Sequence, residues 1–406
     1  MASYFKKLTP LQRCLWAFLS IAFIGYLVML FNYMSFIILP DLDAFHNGVD
    51  LWIHGQRFYY TVAELEELKH YLYIYPPFSL PFFIPLLLLQ GETSRFFIQV
   101  AASFATFIAV WVMMWACAKQ YRRPFPRGTA ILLGLIAIWF EPIQSTIGLG
   151  QVDAVIWCFP IVDILCLRNT RWRGLGIAFA AGFKLTPIVM LIIYLARKDW
   201  RACLNAIGGF ILALLLGFLW APKSSVYFWS EYIFGTTTKM HAQNEYNQSI
   251  GGMLYRLGMS VEEARHIALI LLPIVLVLCY FACRRLLHSK LYVEACFLLI
   301  VAPHFAFPAS STHHFAAIVI GLPVLCYSAN RAIRIIAGIS CLINLGLAAI
   351  YYPFLLSIQY HPTNPIQANL QAIGLGICTV LFFIAAFIPR RVIPERRAEI
   401  SSQITL

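Results

Sequence analysis

CLNAIGGFILALLLGFLW, residues 203–220, runs for eighteen positions without a charged side chain. At 1.5 Å per residue, a helix of that length covers most of a roughly 30 Å hydrocarbon layer. IALILLPIVLVLCYFAC at 267–283 is of the same kind. Around them lies a 406-residue chain with 61% hydrophobic and 12% charged residues and a mean hydropathy of +0.75. Soluble chains carry about twice that charged fraction. The fold expected is therefore all-α and polytopic, with about 10–12 transmembrane helices making a single integral membrane domain over 1–406.

The net charge of +12 would point to nucleic acid in a soluble protein. Here the Lys and Arg residues fall in short clusters between apolar runs, which is the positive-inside pattern. It predicts a multi-pass protein of the cell (inner) membrane with both termini cytoplasmic and no nucleic-acid partner. The run 11–36 is expected to stay as a signal anchor, with the first span at 15–38. A first outer loop, 39–75, follows, with short amphipathic helices at 45–53 and 62–71 suited to the membrane surface. A second outer loop is expected at 221–265 and a cytoplasmic tail at 389–406. The eleven cysteines form no CxxC pair and are expected to be apolar thiols.

Two segments resist a simple crossing. Residues 76–90 contain Pro76, Pro77, Pro81 and Pro85, which remove backbone donors and restrict the residues before them. Residues 174–196 have basic clusters at both ends and Gly182, Lys184 and Pro187 in the middle. A broken or re-entrant helix pair satisfies both facts, since irregular backbone at depth needs protein or water around it. The alternative, two full crossings, exports two basic loops. With the re-entrant choice, 40–75, 141–153, 221–265 and 304–314 gather on the outer face.

These segments hold an ordered set of motifs: DLDAFHNGVDLWIHGQRFYY at 41–60, YPPFSLPFFIPL at 75–86, GLGQVDAVIW at 148–157, AAGFKLTP at 180–187, NQSIGG at 247–252 and SSTHHF at 310–315. Together they resemble glycosyltransferase family 87 of the GT-C superfamily, whose best-known members are polyprenyl-phosphate-mannose-dependent mannosyltransferases of mycobacterial phosphatidylinositol mannosides. The resemblance covers most of the chain up to about Leu325. Phe45 and His46 stand where the family typically has Tyr and Arg, a departure that bears on the acceptor. The resemblance implies a hexose, mannose in the family, moved from a polyprenyl-phosphate donor to a lipid-linked or glycan acceptor on the periplasmic or extracellular face, with inversion.

Such a transfer needs a base for the acceptor hydroxyl, and a carboxylate can serve. Asp41 and Asp43 are the candidates, although aspartate at a helix start also caps. The resemblance places the catalytic aspartate in this loop and so favours Asp41. Lys184, charged within an apolar run, is a functional candidate for the donor phosphate; snorkelling or a pair with Asp163 or Glu141 would also account for it. Departure of a phosphate needs cations more than an acid, which adds His314, His313, Arg57 and Arg256. Gln151, Asn247 and Gln248 offer amides for sugar hydroxyls, though each could equally hold loop backbone. Tyr59 and Tyr75 could stack on a sugar ring, or belong to an interfacial aromatic belt.

No GxGxxG, Walker, HExxH or GxSxG motif occurs, so nucleotide and hydrolase chemistry lack an anchor. No cofactor and no metal is expected; besides donor and acceptor, the partners are membrane lipids. A lipid or sugar transporter or flippase is the rival, but it predicts repeated halves and a midplane ion site, and neither is visible in the sequence.

Overall fold

The computed structural model describes residues 40–60, 64, 73–89, 91–125, 127–233, 247–355 and 365–387. The expected first span, the helix at 62–71 and the tail at 389–406 lie outside the described residues. Among those described the chain is helical, with no strand beyond a single bridge between Asn247 and Ser311. In chain order the helices are α1 (Pro40–Ile53), α2 (Leu80–Leu88), α3 (Glu92–Gln120), α4 (Arg127–Ala137), α5 (Glu141–Leu149), α6 (Asp153–Val162), α7 (Leu175–Phe183), α8 (Leu191–Ala196) and α9 (Trp200–Trp220). They continue with α10 (Pro222–Tyr227), α11 (Ile250–Arg256), α12 (Val261–His288), α13 (Tyr292–Ala306), α14 (Gly321–Tyr327), α15 (Arg331–Leu355) and α16 (Pro365–Phe387).

Four described helices are long and apolar enough to cross a membrane alone: Thr93–Gln120, Trp200–Trp220, Val261–His288 and Asn369–Phe387. A fifth span is possible if α4 and α5, bent by 59°, count as one. The crossing expected at 333–352 falls on α15, of 25 residues, while other expected elements are shorter apolar pieces interrupted by proline or glycine. The pieces Pro77–Leu88, Thr186–Ala196, Tyr292–Ala306 and Thr312–Tyr327 have 10–17 residues each. Helices α9 and α12 expose Leu204, Leu212, Leu215, Leu219, Ile270 and Val277, a display of apolar surface that lipid, not water, would cover. The opposite extreme is α13, apolar all round and buried along nearly its whole length at the centre of the bundle. Of the ten described cysteines all are free; most are buried, while Cys326 is exposed.

The segment 174–196 turns back on itself. Helix α7 ends at Lys184, whose backbone is extended (φ −149°, ψ 127°), and a 3₁₀ turn over Thr186–Met190 leads into α8. Where α8 ends, Asp199 meets Arg173 at 2.9 Å, and the Asn205 amide donates to the carbonyls of Arg171 and Arg173. The chain thus returns to the level it left, with Lys184 at the apex. Gly174 makes the entry possible: its φ is +95°, and a Cβ there would lie 2.2 Å from the Ala202 carbonyl oxygen. At the same end, the Asp163 carboxylate accepts from the Gly174 and Ile177 N–H groups and from the Tyr194 hydroxyl. This is a helix N-terminus capped from outside its own chain segment.

A second, smaller core lies under α1. Phe45 stacks on Phe83 at 4.4 Å and meets Tyr75 edge-on at 5.1 Å. Leu42, Val49, Phe58, Tyr59, Tyr73 and Phe228 belong to it as well. The period of three and four between Leu42, Phe45 and Val49 is what lays α1 down on this cluster, and Gly48 is required because a Cβ would overlap the Tyr73 ring. The indole N–H of Trp52 on α1 donates to the Trp220 carbonyl, and that of Trp220 to the Pro77 carbonyl. These bonds tie α1, the proline-rich turn and the end of α9 together around the apex of the broken pair.

Candidate active site

Docking α1 sets Asp41, in its first turn, over the turn between α5 and α6. The turn exists because Gly150 takes the left-handed conformation (φ 74°) that ends α5. Gln151 and Asp153 follow it, both buried. The Lys184 ammonium lies 2.8 and 2.9 Å from the two Asp153 carboxylate oxygens. It is also 3.4 Å from the Tyr75 hydroxyl, which in turn donates to Gln151 Oε1 at 2.6 Å. With its carbonyl so occupied, Gln151 has its amide N–H groups left for the Asp41 carboxylate, to which it hydrogen-bonds. Three segments far apart in sequence therefore converge: the start of α1, the α5–α6 turn and the apex of the fold-back at Lys184.

The electrostatics of Asp41 follow from this setting. Burial raises its carboxyl to about 6, against the opposing pull of the Gln151 hydrogen bond and the Lys184 charge, while Asp153 pushes the same way as burial. A carboxylate with that value is ionised at neutral pH yet a stronger base than an exposed aspartate. Asp43, also in the first turn, is half-buried and makes no side-chain hydrogen bond or ion pair among the described residues.

One turn along α6 from Asp153, on the same face, the Trp157 indole donates to the His314 carbonyl at 3.0 Å. His314 Nδ1 accepts from the Ser311 N–H, and its ring meets His313 edge-on at 4.5 Å. Both histidines are buried. The remaining sequence candidates stand apart from the cluster. Asn247 Oδ1 accepts from the N–H groups of Ser249 and Ser310, and Gln248 Oε1 from that of Ala372. Arg256 donates to Asn369 and to the Asn247 carbonyl. These three brace the segment 247–256 against Ser310, Asn369 and Ala372. Arg57 forms an exposed pair with Glu64 at 2.8 Å, and Tyr59 is buried with its hydroxyl on the Tyr75 carbonyl. Tyr75 belongs to the cluster: its hydroxyl bonds Gln151, its ring packs edge-on against Phe45 and Phe83, and the ring centre lies 5.2 Å from the Lys184 ammonium.

The partner of Lys184 is Asp153, and neither Asp163 nor Glu141 fills that place: Asp163 caps α7 at the other end of the pair, and Glu141 bonds Gln371. Sequence reasoning passed over Asp153, although it stands two residues after Gln151. The available signal was the fold-back: a lysine at its apex reaches the α5–α6 turn, where Asp153 is the acid beside the glutamine. No group of three or more His, Cys, Asp or Glu side chains with metal-holding geometry occurs among the described residues.

An all-α polytopic membrane body thus brings a raised carboxyl, an amide and a buried lysine together at a helix break, and its family match makes it a membrane transferase. The chain belongs to glycosyltransferase family 87, whose profile matches residues 73–312. It is similar to the polyprenol-phosphate-mannose-dependent alpha-(1-2)-phosphatidylinositol mannoside mannosyltransferase of Mycobacterium tuberculosis, 29% identical over 335 residues, which are 76% of this chain and 75% of the relative. The Mycolicibacterium smegmatis protein of the same name is 28% identical over 319 residues, 72% of this chain and 70% of its own length. A phosphatidylinositol pentamannoside mannosyltransferase of the same species is 28% identical over 330 residues, 78% and 76% of the two chains.

Proposed function

We propose that this glycosyltransferase moves a mannose from a polyprenyl-phosphate donor to a lipid-linked mannoside acceptor, on the outer face of the membrane, with both termini in the cytoplasm. Asp41 acts as the base. The acceptor oxygen attacks the anomeric carbon as its proton passes to the Asp41 carboxylate. The bond from that carbon to the phosphate oxygen breaks, and polyprenyl monophosphate leaves with the electron pair. Attack opposite the departing phosphate inverts the centre. Lys184, joined by His314, receives the charge that builds on the phosphate, the step at which electrostatic stabilisation counts most. Gln151 holds Asp41 in line, and Tyr75 holds Gln151.

The observation that carries this reading is the convergence of Asp41, Gln151, Tyr75, Lys184 and Asp153 in one cluster. The relatives' donor and acceptor names supply the substrates. The test is transfer of label from polyprenyl-phosphate [³H]mannose to phosphatidylinositol mannoside by purified protein in lipid vesicles. Transfer by the wild type and its loss in Asp41→Asn are expected; Asp41→Asn at wild-type rate removes Asp41 from its role. The transporter reading predicts label crossing sealed vesicles without covalent transfer.

A further inference from the structure

Four carboxyl side chains are fully or nearly buried among the described residues: Glu141, Asp153, Asp163 and Glu294. In three of them both oxygens are engaged. Lys184 takes both oxygens of Asp153; the Gly174 and Ile177 N–H groups and the Tyr194 hydroxyl serve Asp163; Gln120 and Tyr121 serve Glu294. Glu141 differs. Among the described residues its one side-chain partner is Gln371, whose amide nitrogen donates to Oε2 at 3.1 Å. Among the described residues no donor reaches Oε1 and no lysine or arginine charge bears on the group.

A carboxyl at the bend of an apolar helix pair, without a cation, is costly to the fold and marks a site by default. Its surroundings are built for hydroxyls. Gln371 also donates to Asn344 Oδ1 and accepts from the Thr312 hydroxyl, which fixes the amide and leaves Oε1 aimed away from it. Glu141 keeps 8% of its surface, as His313 keeps 6% and His314 7%. Thr312 links the two groups, because it precedes the histidine pair in the chain. Buried without a cation, the carboxyl keeps its proton; it offers a phosphate no charge, while its carbonyl oxygen accepts from a polyol hydroxyl. Glu141 starts α5 and Gln151 follows its end, so the two lie roughly 12 Å apart along the helix axis, beyond the span of the single sugar being transferred.

We propose that Glu141 Oε1 accepts a hydroxyl of the acceptor glycan, making Glu141 a positioning residue for the acceptor, one or more sugars away from the attacking oxygen. The proposal rests on the glycosyl-transfer reading above and assigns the acceptor's place within it. Glu141→Gln separates this role from a structural one: the substituted side chain can still accept from Gln371 through its oxygen, but turns an N–H toward the hydroxyl. The acceptor KM should rise at least tenfold in Glu141→Gln, with the donor KM and acceptor-independent hydrolysis of the donor within twofold of wild type. An unchanged acceptor KM, or an equal rise in both, overturns the proposal.

Saturation-transfer NMR with α-1,2-mannobiose and no donor provides a second arm. Signal is expected in wild type and in Asp41→Asn and lost in Glu141→Gln; if Glu141→Gln does not fold, Glu141→Asp, whose carboxyl is drawn back by one carbon, takes its place in both arms. Retained signal in either Glu141 variant overturns the proposal. A wild type that binds mannobiose but transfers nothing from the donor sinks the reading of function while leaving this arm to decide on Glu141.

Discussion

Replacing Lys184 with Met should damage the fold more than replacing both members of its ion pair. Lys184 and Asp153 sit 2.8 Å apart, with side-chain exposures of 12% and 1%. Removing the lysine alone leaves the Asp153 carboxylate enclosed without a cation, and truncating one partner of a buried pair costs about 3–5 kcal/mol. The cost has a ceiling, since the carboxylate can take up a proton instead: from an ordinary aspartate pKa of about 3.9, that costs about 4 kcal/mol at pH 7 and under about 2 kcal/mol at pH 5. The sign follows: the destabilisation of Lys184→Met shrinks as the pH falls. In Asp153→Asn the orphan is a lysine that retains some access to solvent, so the loss is smaller. The Lys184→Met, Asp153→Asn double variant leaves no buried charge and should recover to within about 1 kcal/mol of wild type, while remaining inactive. Thermal melting followed by size-exclusion chromatography in detergent, at pH 7.5 and pH 5, reads the four proteins. If the double variant melts no higher than Lys184→Met, or if the Lys184→Met deficit is the same at both pH values, the pair does not hold the apex as argued.

Other consequences concern catalysis. With Asp41 at about 6 and needed as a carboxylate, kcat/KM should fall tenfold per pH unit below about 6, and Asp153→Asn should move this limb to lower pH by removing a like charge; a limb that stays in place refutes the coupling. Tyr75→Phe removes the donor to Gln151 and should lower kcat/KM about tenfold, the scale of one hydrogen bond, with the melting temperature little changed. Arg57→Ala breaks an exposed pair worth at most about 1 kcal/mol, and initial rates should stay within about twofold of wild type; a collapse in rate would bring Arg57 back to the phosphate.

Much of this architecture was legible because it follows from period and composition. Uncharged runs such as 203–220 become α9, and the Leu42, Phe45 and Val49 spacing becomes the buried stripe of α1. The break at Lys184 was readable from Gly182 and Pro187, and its location there follows from the cost of carrying a lysine through a regular apolar helix. What sequence could not supply was partnership. Asn247, Gln248 and Arg256 carry the groups that bind sugars and phosphates, and their bonds run to Ser310, Ala372 and Asn369. A polar side chain in an apolar protein needs a partner wherever it lies, so chemical type alone does not separate a ligand group from a brace. Spacing fails for the same reason at Asp153, whose lysine is 31 residues away and reaches it through a fold-back.

The fold-back also lets the Lys184 ammonium meet the α5–α6 turn at the end of an apolar element. A straight helix through Lys184 would have to hold the ammonium in hydrocarbon. The pair enters at Gly174, with its first turn anchored by Asp163, and leaves at Asp199, with its last anchored by Arg173. Each anchor lies at the same end, so strain at the apex is resisted from one side only, and the apex itself is fixed by what it meets: Asp153 and Tyr75. In the proposed reaction, a donor phosphate arriving there competes with Asp153 for the Lys184 ammonium, and any shift of Lys184 toward the phosphate weakens its hold on the carboxylate. On that reading, binding of the donor is coupled through Asp153, Lys184 and Gln151 to the basicity of Asp41, since among the described residues the two charges that bear on Asp41 are those of this ion pair. Neutralising the lysine with phosphate removes a force that lowers the Asp41 pKa, so the base gains strength when the donor is in place and the acceptor proton has somewhere to go.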